Sequence, residues 1–260
     1  MTTAISSLIQ YRELLAAWTM RIIRARYQQS ILGGFWAILQ PVATAAIFTT
    51  VFSYFLKLDT GDIPYVIFVY SALVPWLMFS SSITDMSDAI ISNMNLVGKI
   101  YFPREILIIA ALMARLMDFL IAYILLIVLM LVNDLPVFQF NWLFLPLLVI
   151  IQLVLALGFG LVLSAMNVFY RDVRHLVVLL LQLWLYATPI IYPVSLVPDS
   201  FRPYYFLNPM AGVIEGYRAI LFNSTPPDAI IFYSAFVSLF VLWIGYFFFK
   251  RVEHRFADII

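Results

Sequence analysis

The sequence predicts an all-α integral membrane protein: six transmembrane helices behind an N-terminal interfacial amphipathic helix, with re-entrant half-helices before the last span. Three observations lead there. Of its 260 residues, 64% are hydrophobic and 11% charged, where soluble domains carry roughly 45–50% and about 25%. Six apolar stretches reach the length of about 20 residues that crossing a bilayer requires. The basic residues gather on alternate connections between those stretches.

The chain opens with mixed residues that include Arg12, Arg21, Arg24 and Arg26. A secretory signal would instead place an apolar run directly behind a short basic stretch, so no cleavage is expected. Leu8, Tyr11, Leu15, Trp18 and Ile22 recur at spacings of three and four, with Gln10, Glu13, Arg21, Arg24 and Gln28 opposite them. That pattern predicts a helix lying along the membrane surface. Arg26 falls near the apolar edge and makes the stripe imperfect.

The spans fall at roughly 33 to 56, 64 to 86, 105 to 132, 140 to 166, 173 to 193 and 229 to 249. Four arginines of the N-terminal arm, then Lys99, Arg104, Arg171, Arg174, Lys250, Arg251 and Arg255, lie on one side of this arrangement; Lys57, Arg202 and Arg218 lie on the other. Eleven against three places both termini in the cytoplasm by the positive-inside rule. Residues 194 to 228 are punctuated by Pro198, Pro203, Pro209, Pro226 and Pro227 and hold only short apolar runs. Half-helices suit them, and Asn208-Pro209 reads as the N-cap and first position of a short helix through Gly212, Glu215, Tyr217 and Arg218 to Phe222. The whole reads as one membrane domain over 1–260: a cytoplasmic arm to residue 30, a six-span bundle from 33 to 249 and a cytoplasmic tail from 250.

Composition narrows the chemistry. A net charge of +1 excludes a strongly basic nucleic-acid binder, and zero cysteines exclude thiolate metal sites and thiol nucleophiles. His175 and His254 are too far apart for a local metal motif. Gly98-Lys99 is followed by Ile100 and lacks the upstream glycine of a nucleotide-binding loop, so ATP hydrolysis would have to come from a partner. Arg115 and Asp118, three residues apart in the third span, share a helix face and can pair. An unpaired charge there costs about 2.5–3.5 kcal/mol on insertion scales, so they should face protein or water. Their pairing reads as a gating or dimer-interface contact or as a structural ion pair. Asp85 and Asp88 have a spacing that would let two carboxylates share one magnesium, though no second acidic cluster completes such a site. Phe48, Phe52, Trp184 and Tyr186 lie far from the interface belts, where aromatic faces can stack on sugar rings or simply fill space among helices and lipid.

Several runs resemble the membrane subunits of ABC-type polysaccharide exporters, the family that includes O-antigen, teichoic-acid and some capsule export permeases. Arg26-Tyr27-Gln28-Gln29-Ser30-Ile31-Leu32-Gly33, continuing to Trp36, Leu39, Gln40 and Pro41, is similar to the family's entry into its first span. Phe102-Pro103-Arg104-Glu105, Asn167-Val168-Phe169-Tyr170-Arg171-Asp172 and Thr188-Pro189-Ile190-Ile191-Tyr192-Pro193 resemble its loops. That last run, with Asn208-Pro209, Glu215, Tyr217 and Arg218, is similar to its external half-helix region, and Glu253, Phe256 and Asp258 resemble its short C-terminal tail.

The resemblance implies a type V ABC exporter-like fold in the bacterial cytoplasmic (inner) membrane: a homodimer with two cytoplasmic ABC ATPase subunits that bind ATP and magnesium, and no cofactor in this chain. The cargo implied is a polyprenyl-pyrophosphate-linked polysaccharide. A coupling helix falls on positions 87 to 100, giving Asp88, Asn95, Lys99, Arg104 and Glu105 as ATPase-coupling candidates. A conduit from the first and fifth spans makes Phe48, Phe52, Trp184 and Tyr186 its lining candidates. Arg21, Arg24, Arg26, Tyr27 and Trp36 fall at the entrance, where arginines can hold the lipid pyrophosphate or anchor to anionic headgroups. Three rivals stay open. A secondary transporter has only Asp118 as a deep carboxylate, a glycan-transferring enzyme has only Asp85 and Asp88, and a drug or short-lipid exporter shares the architecture.

Overall fold

The computed structural model describes residues 10–28, 30–97 and 102–258. Its helices are α1 (Arg12–Tyr27), α2 (Trp36–Phe48), α3 (Tyr65–Ala89), α4 (Met94–Val97), α5 (Glu105–Val132), α6 (Leu145–Phe169), α7 (Val173–Tyr186), α8 (Arg202–Tyr205), α9 (Pro209–Leu221) and α10 (Ile230–Val252). Five helical segments among the described residues are long and apolar enough to cross a membrane: Gly33–Phe55, Tyr65–Ala89, Glu105–Val132, Phe140–Phe169 and Ile230–Phe256. The protein is therefore all-α and multi-pass.

The expected span at 173–193 is not one of the five. It folds as α7, whose 14 residues rise about 21 Å at 1.5 Å per residue, short of a hydrocarbon core of about 30 Å. Pro189 ends it, because a proline pushes the residue before it out of the helical region. Thr188 and Ile190 are then fully buried in the turn that follows.

α3 is the hub. It packs against α2, α5, α6, α7 and α9, and from Tyr65 to Phe79 it is apolar but for Ser71, which suits a helix buried all round. Pro75 interrupts it, and the Gln152 amide of α6 donates to the Pro75 carbonyl at 2.8 Å. The Tyr217 hydroxyl of α9 donates in turn to Gln152 Oε1 at 3.4 Å. Buried polar groups at this depth need such partners, and here they tie three helices together.

α10 lies on α6 through small residues. Gly158 and Gly245 bring the two backbones together, and Ser234 of α10 faces Gly212 of α9. Lipid tails give no hydrophobic drive for helices to associate, so close van der Waals contact has to supply the attraction. The first span departs from plain α geometry: after α2 it widens into a π-helix, Thr49–Phe55, with Phe52 inside it.

Candidate functional site

The bundle has one end where Arg26, Arg104, Arg171, Arg174, Lys250 and Arg251 collect, called here the basic end. α1 packs Leu14, Trp18 and Ile22 against the bundle; Leu8 of the expected stripe lies outside the described residues. Arg21 and Arg24 are exposed, with Arg21 stacked 4.4 Å from the Trp18 ring. Arg26 turns the other way, into the bundle.

There it meets three charges from two other helices. Its Nη2 lies 2.7 Å from Asp85 of α3 and its Nη1 2.5 Å from Asp118 of α5. Arg115 holds Asp85 from the other side with Nε at 2.6 Å and Nη2 at 3.0 Å, and reaches Asp118 at 3.2 Å. The Tyr27 hydroxyl also donates to Asp118. Burial, then that carboxylate, push the Tyr27 phenol up to about 12, so it remains a donor at neutral pH. Two arginines and two aspartates cancel, and the four side chains are only 15–26% exposed. Arg115 sits about 15 Å along α5 from its start, ten residues at 1.5 Å each.

Arg26, Arg115 and Asp118 of this cluster form one wall of a cleft of about 270 Å³, which Tyr27, Trp36, Gln40 and Ser81 also line. The cleft thus offers two guanidinium groups, the Asp118 carboxylate that both of them hold, a phenol and an indole at the junction of α1 with the first span. Guanidinium forks and hydroxyls are the groups that hold phosphate oxygens.

Asp88 does not join Asp85. Its carboxylate accepts from the Asn167 amide at 3.1 Å and lies 3.3 Å from Arg174, so the two aspartates serve different helices and share no cation. Among the described residues no group of three or more His, Cys, Asp or Glu side chains is placed to hold a metal. Asn95 is exposed on α4, and Lys99 lies outside the described residues. Arg104 and Glu105 are turned inward: Arg104 donates to the Glu253 carbonyl, and Glu105, 5% exposed, pairs with Lys250 at 2.9 Å.

Toward the opposite end, Phe48 and Phe52 meet edge to face at 6.1 Å. Tyr186 is exposed. Trp184 packs edge to face against Phe79, Phe159 and Trp76 at 5.3, 5.5 and 6.1 Å, and its Nε1 donates to Asn208 Oδ1 at 2.9 Å. The same oxygen accepts the Met210 amide at 3.0 Å as the N-cap of α9. Replacing Asn208 with alanine is expected to destabilise the protein by about 1–2 kcal/mol, the value of a cap; Asn208→Asp keeps the cap but loses the amide's donations to the Ala187 carbonyl and the Thr188 hydroxyl, so it regains only part; thermal unfolding in detergent measures both. Nearby, Arg218 is buried, its guanidinium 3.7 Å over the Phe68 ring. It donates to the Ile190 carbonyl at 3.0 Å and to Glu215 at 2.9 Å, and Tyr65 donates to the Ile191 carbonyl at 2.7 Å. These contacts fasten the turn after α7, a role the local sequence did not signal.

Comparison with known proteins adds the family. The family model for ABC-2 type transporters matches residues 13–222. The chain is 33% identical over 264 aligned positions to the O-antigen export system permease protein RfbA of Myxococcus xanthus, covering 100% of both chains. It is 28% identical to the Klebsiella pneumoniae protein of the same description, covering 95% of each. To the polysialic acid transport protein KpsM of Escherichia coli it is 27% identical over 87% of this chain and 88% of that one.

Proposed function

This chain belongs to the ABC-2 type transporter family, and from that premise we propose that it exports an O-antigen-like polysaccharide on a polyprenyl carrier. It is a transmembrane permease subunit of an ABC exporter that handles a glycan. The observation that carries the substrate reading is the end-to-end likeness to an O-antigen export permease. In this reading two copies work with two ATPase subunits that bind ATP and magnesium, and the basic end faces the cytoplasm of a bacterial inner membrane.

The finer topology follows the same reading. α7 with the buried turn through Ile191 makes a sixth crossing, and α9, buried along nearly its whole length, is a half-helix within the bundle. α2 and α7 border the conduit. Gln40 on α2 and Gln182 on α7 are both exposed, and an amide on an apolar helix suits water or a second protein copy better than lipid. Phe48, Phe52 and Tyr186 offer sugar-stacking faces along it, with Trp184 behind them. At the entrance, Arg26, Tyr27, Arg115 and Trp36 of the cleft receive the lipid pyrophosphate, and Arg21 and Arg24 hold the headgroup layer. Asp88 and Asn95 face the ATPase, and Lys99, outside the described residues, is the third coupling candidate of that connection.

The test is purification of the tagged chain from its native membrane, with mass spectrometry of every stoichiometric partner and an ATPase assay. A P-loop ATPase at equal stoichiometry, and a strain lacking the chain that accumulates lipid-linked glycan on the cytoplasmic side, are expected. A chain that purifies alone and transports with an ion or proton gradient would overturn the reading. Loss of a capsular polymer with intact O-antigen would move the substrate toward that of the polysialic acid relative.

A further inference from the structure

The segment Glu253–Phe256 is built into the bundle. Phe256, the one apolar side chain in Glu253-His254-Arg255-Phe256, is fully buried. Its ring lies 6.0 Å from Phe169 at the end of α6 and 5.7 Å from Phe249 of α10, with the Arg104 guanidinium 5.5 Å over it. Arg104 also donates to the Glu253 carbonyl. One turn earlier, Lys250 pairs with Glu105 at 2.9 Å and with Glu253 at 3.1 Å.

These contacts reach the two connections at the basic end. Arg104 and Glu105 stand where the 87–104 connection enters α5, and Phe169 stands where α6 leaves for Tyr170-Arg171-Asp172. A surface segment whose other residues, Glu253, His254 and Arg255, are all polar has no need of a buried phenylalanine, nor Glu105 of burial beneath it. A carboxylate hidden to this degree requires its cation, so the lysine and the segment that supports it hold the start of α5 in place.

We propose that Glu253–Phe256 is a coupling strut: it binds the ends of both basic-end connections to α10, so that motion delivered to either one moves α5, α6 and α10 as a unit. The proposal rests on the reading that these connections receive the ATPase. Phe256 and Lys250 are positioning residues, since neither touches cargo or nucleotide.

The experiment uses the complete complex, reconstituted with its ATPase, and reads glycan exported per ATP hydrolysed. Phe256→Ala should leave ATPase co-purification and hydrolysis near wild type while export per ATP falls about tenfold, within the range of coupling between distant sites. Phe256→Leu, which keeps an apolar wedge, should restore most of the ratio. Lys250→Gln combined with Glu105→Gln, which leaves no buried carboxylate without its cation, should lower the ratio in the same direction and serves if Phe256→Ala fails to accumulate. An unchanged ratio in both variants overturns the strut. So does a parallel loss of ATPase binding and export, which would make the segment a docking surface. If the wild-type chain recovers no ATPase at all, the functional reading fails instead, and the two failures are told apart by that control.

Discussion

Arg115→Met is expected to lower stability by about 2 kcal/mol and to abolish export. Breaking a fully buried ion pair costs about 3–5 kcal/mol because the other charge is left unpaired. The smaller figure applies here since the side chain is 24% exposed, and water screens what it reaches. Without Arg115, Asp85 and Asp118 share Arg26 alone, and the cluster carries one uncompensated negative charge. A second substitution, Asp85→Asn, restores neutrality by leaving Arg26 with Asp118. Stability of the double variant should return to within about 1 kcal/mol of wild type, a strong non-additivity between residues in one network.

Export need not return with it, and that separation decides what the cluster does. If the arginines only balance aspartates, neutrality is sufficient and export recovers with stability. If Arg115 also reaches a phosphate in the cleft, the double variant folds and remains inactive. Denaturation in detergent beside export in cells gives both readouts. Additive effects of the two substitutions on stability would show that Arg115 and Asp85 do not act as a pair.

The sequence signals for this cluster were present but could not be joined. Arg26 breaks the amphipathic stripe of α1, and Arg115 and Asp118 interrupt an otherwise apolar span; departures of this kind collect at functional sites. The contacts themselves join residues 59 and 92 positions apart, and no local spacing encodes such a partner. Spacing misleads for Asp85 and Asp88: their i,i+3 separation suggests one shared ligand, yet α3 is a hub, and each carboxylate meets a different neighbour. Arg104 and Glu105 look like open loop residues until the segment 149 positions later closes over Arg104.

Long apolar runs closed by prolines, glycines or charges locate the five long helices well, and the Asn208-Pro209 pair locates the start of α9. The short α7 was hidden because the apolar residues resume at Ile190 and Ile191, so Thr188-Pro189 reads as a kink within one span although it ends the helix. Apolar composition alone does not separate a buried turn, fastened by Tyr65 and Arg218 through the Ile191 and Ile190 carbonyls, from continued helix.

Gly245→Ala is expected to be at least as damaging to stability, by about 3 kcal/mol, at the upper end of the usual overpacking range. A Cβ on Gly245 would run into the carbonyl oxygen of Gly158, and one on Gly158 would lie 2.6 Å from the Leu242 backbone nitrogen and 2.8 Å from the Val241 carbonyl carbon. Both obstacles are backbone, so no rotamer change relieves the clash. Helices α6 and α10 must part toward ordinary carbon contact distances of about 3.5–4.0 Å, and they lose dispersion along their whole line of contact. Gly34→Ala is the control: nothing lies within 4 Å of its added carbon, and its effect should stay within about 0.5 kcal/mol. A midpoint for Gly245→Ala equal to that of Gly34→Ala would show that the two backbones do not meet. The consequence should also reach the far end of the pair. Phe256 is held between Phe169 of α6 and Phe249 of α10, so the glycine contact sets the gap this ring fills. A wider gap loosens the ring and with it Arg104, and the fraction of Gly245→Ala that still folds should export less glycan per ATP than wild type.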